Sequence, residues 1–309
     1  YTYKGATEAA KTLGIAGEVP FVTPTADTDR IPNLQKYVDQ GFNIVVTAGF
    51  ANGTATGCMA KANPDVWFIG VDQGICVDEN GDNDTTFACK GDAAKLLPNY
   101  QGIVFSEEQA GYLAGVLAGS ISKSGVIGSI AGNRVPPVVR YIAGYEAGAK
   151  SVNPNIKTLT QEVNADPQKG FNDPATGKAI AQQFIAQGAD VLFQVAGLPG
   201  QGVLEAACDA NIYGIGVDVD QALTLPNLSK CIVTSAEKKL KDTVQAVTET
   251  SGGSDFKAGQ VTYNAASNPP AIGLSPYHDL ASVITPEIQA KIDAAMAAMK
   301  SGELKPPRQ

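Results

Sequence analysis

Along residues 1–122, apolar runs of four to six residues alternate with stretches whose apolar positions recur every three or four residues. Short runs closed by turn residues predict buried strands, and the longer period predicts amphipathic helices crossing back over a parallel sheet. Strands are expected at Val19–Thr23, Ile44–Thr47, Val66–Val71 and Gly102–Phe105, and helices at Tyr3–Leu13, Ile31–Gln40, Thr54–Ala62 and Glu107–Ser122. Residues 74–100 interrupt the rhythm as a polar insertion, acidic in its middle. The alternation resumes with strands at 125–131, Ile156–Thr160, Val191–Val195, Tyr213–Val217 and Cys231–Ser235. Helices are expected at Val138–Val152, Pro174–Gln187 and Lys238–Thr250. Two short strands, Gln260–Tyr263 and Ile272–Leu274, precede a closing helix at Pro286–Lys300 with proline in its first turn.

The two halves echo each other. Asp39-Gln40-Gly41-Phe42-Asn43-Ile44-Val45-Val46-Thr47-Ala48-Gly49 matches Ala186-Gln187-Gly188-Ala189-Asp190-Val191-Leu192-Phe193-Gln194-Val195-Ala196-Gly197. Each then reaches a second apolar run ending on a carboxylate, Asp72 in one half and Asp218 in the other. Gln40 to Gln187 is 147 positions, Ala48 to Ala196 is 148 and Asp72 to Asp218 is 146. A period that long is one repeat per domain. The expected fold class is α/β: one lobe of 1–122 plus 236–258, another of 123–235 plus 259–309, and hinges near 122–124, 235 and 258. Two such lobes make a cleft, where small ligands usually bind.

A net charge of −8 without a Lys/Arg cluster argues against a nucleic-acid partner. No run approaches the ~18 apolar residues of a membrane helix. Five cysteines, none in Cys-x-x-Cys spacing, and a single histidine, His278, disfavour zinc and favour disulfides in an oxidising compartment. Cys76 and Cys89 bracket the insertion and pair first, and Cys208 with Cys231 is the second expected bridge. Cys58 is left as a buried thiol or the partner of something upstream. Residues 1–20 lack the basic start and apolar core of a signal peptide. A parallel domain that opens on a helix leads to the expectation of an upstream strand beyond the numbered residues.

The candidate chemistry is that of binding. Asp72 and Asp218 follow buried parallel strands, where open α/β sheets present ligand groups, and a carboxylate there accepts hydrogen bonds from vicinal hydroxyls. An aspartate in that place also caps helices, but two in matched positions favour binding. Lys238, expected at a helix start, opposes the helix dipole there and so suggests a use other than helix stability. Phe50 follows Gly49 at a strand end, and Phe171 opens a turn in which Asp173 caps a helix. Either ring is a candidate to stack on a flat ligand. Gly197-Leu198-Pro199-Gly200-Gln201-Gly202 reads as a loop able to approach a ligand closely. Dinucleotide and P-loop glycine patterns are absent, as is a serine elbow to partner His278, so no enzyme signature and no cofactor site emerge. The stretch 78–84 alternates oxygen ligands as a calcium loop does, yet lacks the glycine at position six and the glutamate at twelve, which favours a solvated hairpin.

The run from Gly102 through Ser106-Glu107-Glu108-Gln109-Ala110-Gly111-Tyr112-Leu113-Ala114-Gly115 resembles the signature of the basic membrane protein family of solute-binding lipoproteins. So do Ala143–Pro154, Phe171–Lys178, Gln187–Gly197, Ile215–Gln221, Ile272–Tyr277 and Lys300–Pro306, in colinear order across nearly the whole chain. The resemblance implies a two-lobe type I periplasmic-binding-protein fold and an extracytoplasmic binding protein of an ABC importer, attached to the membrane by a lipid anchor. It implies a purine nucleoside held by its ribose on an aspartate and a lysine, which correspond to Asp218 and Lys238, with its base stacked on aromatic rings. Riboflavin, a pentose or a signalling molecule are the alternative ligands, and a two-domain α/β enzyme is the alternative class. The chain departs from the pattern in lacking the family's first strand, in Gln109 where glutamate is usual, in the larger insertion, and in Leu198 where a small residue is common.

Overall fold

The computed structural model describes residues 1–166 and 169–309. Its strands, in chain order, are β1 (Ile44–Ala48), β2 (Trp67–Val71), β3 (Tyr100–Phe105), β4 (Val126–Ala131), β5 (Lys157–Glu162), β6 (Val191–Val195), β7 (Tyr213–Asp218), β8 (Ile232–Lys238), β9 (Gly259–Tyr263) and β10 (Ile272–Leu274). The helices that matter first are α1 (Thr2–Thr12), α2 (Arg30–Asp39), α3 (Gly53–Ala62), α4 (Ala93–Leu96), α5 (Glu107–Ile121) and α6 (Pro136–Val152). The chain forms two compact units: unit 1 is Tyr1–Phe105 with Leu240–Tyr263, and unit 2 is Ser106–Lys239 with Asn264–Gln309.

Unit 1 holds a parallel sheet in the order β1-β2-β3-β9. Phe68, Val45, Leu34 and Tyr100 pack as its core, and each large side chain so buried stabilises by roughly 1.5–3 kcal/mol. Burial pushes the Tyr100 phenol well above its ordinary value. The strand expected at Val19–Thr23 is not formed. β1 is the edge of its sheet, and an apolar cavity of about 750 Å3 is lined by Ile44, Val46, Val19 and Phe21 together with Tyr3 and Ala10 of α1. With that space beside it, the irregular stretch 18–24 pairs with no strand, and Phe21 is left exposed.

Unit 2 holds a sheet in the order β10-β8-β7-β6-β4-β5. It is parallel, as expected, with one short antiparallel strand, β10, added beside β8. Ile130, Phe184, Leu192 and Val203 fill one face of it. Across α5 and α6 the glycines fall opposite carbonyls. A Cβ on Gly111 would lie 2.1 Å from the Tyr141 carbonyl oxygen, one on Gly115 2.0 Å from that of Tyr145, and one on Gly144 2.0 Å from that of Glu108. Only residues without a side chain let two helices approach so closely. That packing draws all of α5 into unit 2, so the chain leaves unit 1 between Phe105 and Ser106 and not near 122–124.

Two local expectations change as well. β8 extends to Lys238, and the helix that follows starts at Leu240, so Lys238 is a strand-end residue and not a helix opener. Leu198 through Gly202 lie inside the helix Leu198–Asp209, with Gly197 as its N-cap at φ +64°, so only Gly197 has the loop conformation expected for the whole stretch.

Candidate functional site

In unit 2 the carboxyl ends of β8, β7, β6 and β4 stand in a row, and most of the expected site residues lie on it. Asp218 closes β7 with φ at +65°, a left-handed backbone that costs a non-glycine residue roughly 1–2 kcal/mol. The Gln221 side chain holds the turn by accepting the Val217 N–H at 2.9 Å, and the Gln221 N–H donates to the Ser235 hydroxyl at 3.0 Å. Strain kept in place by its surroundings is characteristic of functional positions.

Lys238 comes to the same place from the neighbouring strand, because Asp218 is in register with Glu237. Its ammonium lies 3.3 Å from Asp218 Oδ1, and the Tyr141 hydroxyl, 3.2 Å from the same oxygen, donates from α6. The Lys238 side chain is 5% exposed while that of Asp218 is 45% exposed. The pair is thus anchored on the lysine side and open on the carboxylate side. Behind it, Glu107 at the start of α5 brings one oxygen to 3.5 Å from the Lys238 ammonium and accepts from Arg140 Nε on the other at 2.6 Å. Glu108 beside it is held above the usual carboxylate range, chiefly by burial and further by Glu107, with Arg308 and Arg140 opposing.

Phe171 lies against the backbone at two neighbouring strand ends. A Cβ on Gly132, just past β4, would meet its ring at 2.5 Å, and one on Gly197, just past β6, at 3.4 Å. Leu198 is 60% exposed at the start of its helix. Strands spaced about 4.8 Å apart put the ring roughly one to two spacings, about 5–10 Å, from β7.

Unit 1 repeats part of this plan. Asp72 follows β2 with φ at +58°, matching the left-handed backbone of Asp218. On the adjacent strand, the Gly49 N–H donates to the Val71 carbonyl at 2.9 Å, and Phe50, 58% exposed, follows Gly49. Buried Gln73 holds the two ends together, donating to the Gly49 carbonyl at 3.1 Å and the Thr47 hydroxyl at 3.0 Å while accepting from the Tyr100 hydroxyl at 2.6 Å. The structure therefore joins Asp218 with Lys238, sets Phe171, Gly197 and Leu198 along the same edge, and puts Asp72 and Phe50 on adjacent strand ends of unit 1. Sequence reasoning missed Tyr141, Glu107, Arg140, Gln73 and Gln221. Gln73 and Gln221, 148 positions apart and so within the period of the repeat, were the available signal for the two glutamines.

Cys76 is bonded to Cys89 and Cys208 to Cys231, as the spacing suggested, and Cys58 is a free, exposed thiol and not a buried one. In the insertion, Asp78 accepts the Asn80 and Asp82 N–H groups, and Asp84 accepts those of Thr86 and Cys89. These carboxylates are spent on the loop's own backbone, as a hairpin requires. His278 Nε2 lies 2.7 Å from Asp220 Oδ2, which gives the single histidine a structural partner next to the Asp218 turn.

A family described as PnrA-like ABC transporter substrate-binding proteins, Bmp, matches residues 2–302. The ABC transporter nucleoside-binding protein BmpA of Lactococcus lactis is 30% identical over 80% of this chain and 68% of its own length. Basic membrane protein D of Borreliella burgdorferi is 37% identical over 51% of this chain and 45% of its own length, so the chain spans about half of that relative. Among solved structures, an ABC transporter solute-binding protein from Conexibacter woesei superimposes with a TM-score of 0.74 at 25% identity, covering 100% of this chain and 96% of that one.

Proposed function

We propose that this chain, which belongs to the Bmp family of PnrA-like ABC transporter substrate-binding proteins, captures a purine nucleoside outside the cytoplasm and delivers it to an ABC permease. The observation that carries the reading is Asp218, half-exposed on a strand tip while Lys238 and Tyr141 fix one of its oxygens. A carboxylate so held accepts hydrogen bonds from vicinal hydroxyls, and the Phe171 ring, packed against Gly132 and Gly197 on the same edge, is the surface this reading gives to the base. The name of the Lactococcus relative, a nucleoside-binding protein, supports the same ligand class. The two disulfides suit an oxidising compartment, and a lipid anchor is the attachment this reading implies; no helix among the described residues is long and apolar enough to cross a membrane. The role is capture and release, with the nucleoside recovered unchanged.

The test is a thermal-shift screen against adenosine, guanosine, inosine, free purines, ribose and riboflavin, followed by titration calorimetry. A purine nucleoside raises the unfolding temperature, since ligand at one hundred times Kd stabilises by about 2.7 kcal/mol. Asp218→Ala weakens binding roughly tenfold to a hundredfold, the loss of hydrogen bonds to a charged group worth about 1.5–3 kcal/mol, in a protein that still unfolds cooperatively but is less stable because buried Lys238 loses one of its carboxylates. A shift with riboflavin or a pentose but none with nucleosides overturns the ligand, and unchanged affinity in the variant overturns the role of Asp218.

A further inference from the structure

Four charges of alternating sign run from the interior of unit 2 to its carboxyl edge: Arg140, Glu107, Lys238 and Asp218. Arg140 Nε donates to Glu107 Oε2 at 2.6 Å, Glu107 Oε1 stands 3.5 Å from the Lys238 ammonium, and that ammonium stands 3.3 Å from Asp218 Oδ1. The Glu107 side chain is 2% exposed, so its charge is out of reach of bulk water. Glu107 spends one oxygen on each cation. We propose that Glu107 is a positioning residue for the binding site: it holds Lys238 between two carboxylates, so that Asp218 keeps its second oxygen for the ligand. The proposal rests on the nucleoside reading above.

The physical reason is competition for the ammonium. A buried lysine facing a single carboxylate draws both of its oxygens inward, because an uncompensated buried cation is costly. A second carboxylate on the far side divides that pull. No neutral isostere replaces it. A glutamine at 107 would turn its carbonyl oxygen to either Arg140 or Lys238, and its amide N–H groups would then face the other cation. Location adds a second argument. Glu107 is two residues past Phe105 and Lys238 two before Leu240, where the chain leaves and re-enters unit 1. At the third crossing, the Ala265 N–H donates to Gln109 Oε1 at 2.8 Å, two residues past Tyr263. The first turn of α5 thus ties together the unit 2 ends of all three crossings, and the lysine that holds Asp218 is one of the tied residues. Gln109 makes this bond with its carbonyl oxygen, as a glutamate there would with a carboxylate oxygen.

A chemical double-mutant cycle tests the role. Calorimetric Kd values are measured for wild type and Glu107→Gln with adenosine and with 2′,3′-dideoxyadenosine. The expected result is that the variant binds adenosine at least roughly tenfold more weakly than wild type, while the two proteins agree within about twofold on the dideoxy analogue. A residue that merely supports the fold would weaken both ligands equally, and that outcome overturns the proposal. If wild type binds the two ligands alike, the hydroxyl-reading role of Asp218 and Lys238 fails, and the proposal fails with it. Because Glu107→Gln leaves Arg140 with only the more distant Glu108 carboxylate, 3.9 Å away, the cycle is repeated on the paired variant Glu107→Leu with Arg140→Met, which removes both charges together. The hydroxyl-specific loss persists there on this account, and its absence counts against it.

Discussion

At the scale of single residues, the adjacent buried carboxylates Glu107 and Glu108 of unit 2 differ in how closely cations compensate them. Glu107 meets two cations at close range, whereas Glu108 has its Oε2 buried without a hydrogen bond, 3.9 Å from Arg140, and its Oε1 3.5 Å from Arg308. Burial therefore holds Glu108 above the usual carboxylate range. The sign follows from linkage. Between the unfolded and the raised native value the native state binds the extra proton, so stability falls as pH rises through that window. Replacing Glu108 with Gln removes a charge that the fold accommodates poorly. The variant is expected to equal wild type in urea unfolding around pH 4 and to exceed it around pH 8, where wild type has lost the difference. A variant less stable at the higher pH would mean that Arg140 and Arg308 outweigh the burial.

At the scale of elements, the contact of α5 with α6 sets the position of the candidate site, because α5 begins at Glu107 and α6 supplies Arg140 and Tyr141. Gly115→Ala places a methyl 2.0 Å from the Tyr145 carbonyl oxygen, which no rotamer relieves, so the helices must separate. A cost of about 1–3 kcal/mol or more is expected for such overpacking, read as a lower urea midpoint at unchanged slope. The same change at Gly125, where nothing lies within 4 Å, tests only backbone conformation and serves as the comparison. Such pairs also explain what the sequence revealed. Buried strands and amphipathic helices announce themselves by period, and every expected strand but Val19–Thr23 appears within a few residues of its place. Strand formation there depended on a neighbour, which local pattern does not carry. The full length of β8 was hidden because Glu237 and Lys238 are charged, and only their burial in the strand shows that they belong to it. Arg140 and Glu107 lie 33 positions apart, so their pairing is a product of the helix contact and invisible to spacing.

At the scale of the whole molecule, the internal repeat made one candidate position in each unit legible: Asp72 and Asp218 lie 146 positions apart, and each stands at a strand end with left-handed backbone. Each unit also carries its own crosslink. Cys76–Cys89 joins residues 13 apart within unit 1, and Cys208–Cys231 joins residues 23 apart within unit 2. A bridge of this span removes loop-closure freedom from the unfolded chain, worth about 3 kcal/mol for a loop of roughly 15 residues and slightly more for a longer one. The Cys208–Cys231 bridge ties the helix Leu198–Asp209 to the residue before β8, yet β8 is buried throughout and bonded by β7 and β10 on its two sides. Those bonds, and not the crosslink, keep Lys238 beside Asp218. Changing both Cys208 and Cys231 to Ala is therefore expected to lower unfolding stability by about 3–4 kcal/mol while the Kd for the proposed nucleoside ligand at low temperature stays within about twofold. Paired calorimetry and urea unfolding separate the two effects. A tenfold loss of affinity in protein that remains folded would show that the crosslink, rather than the sheet, holds the site in register.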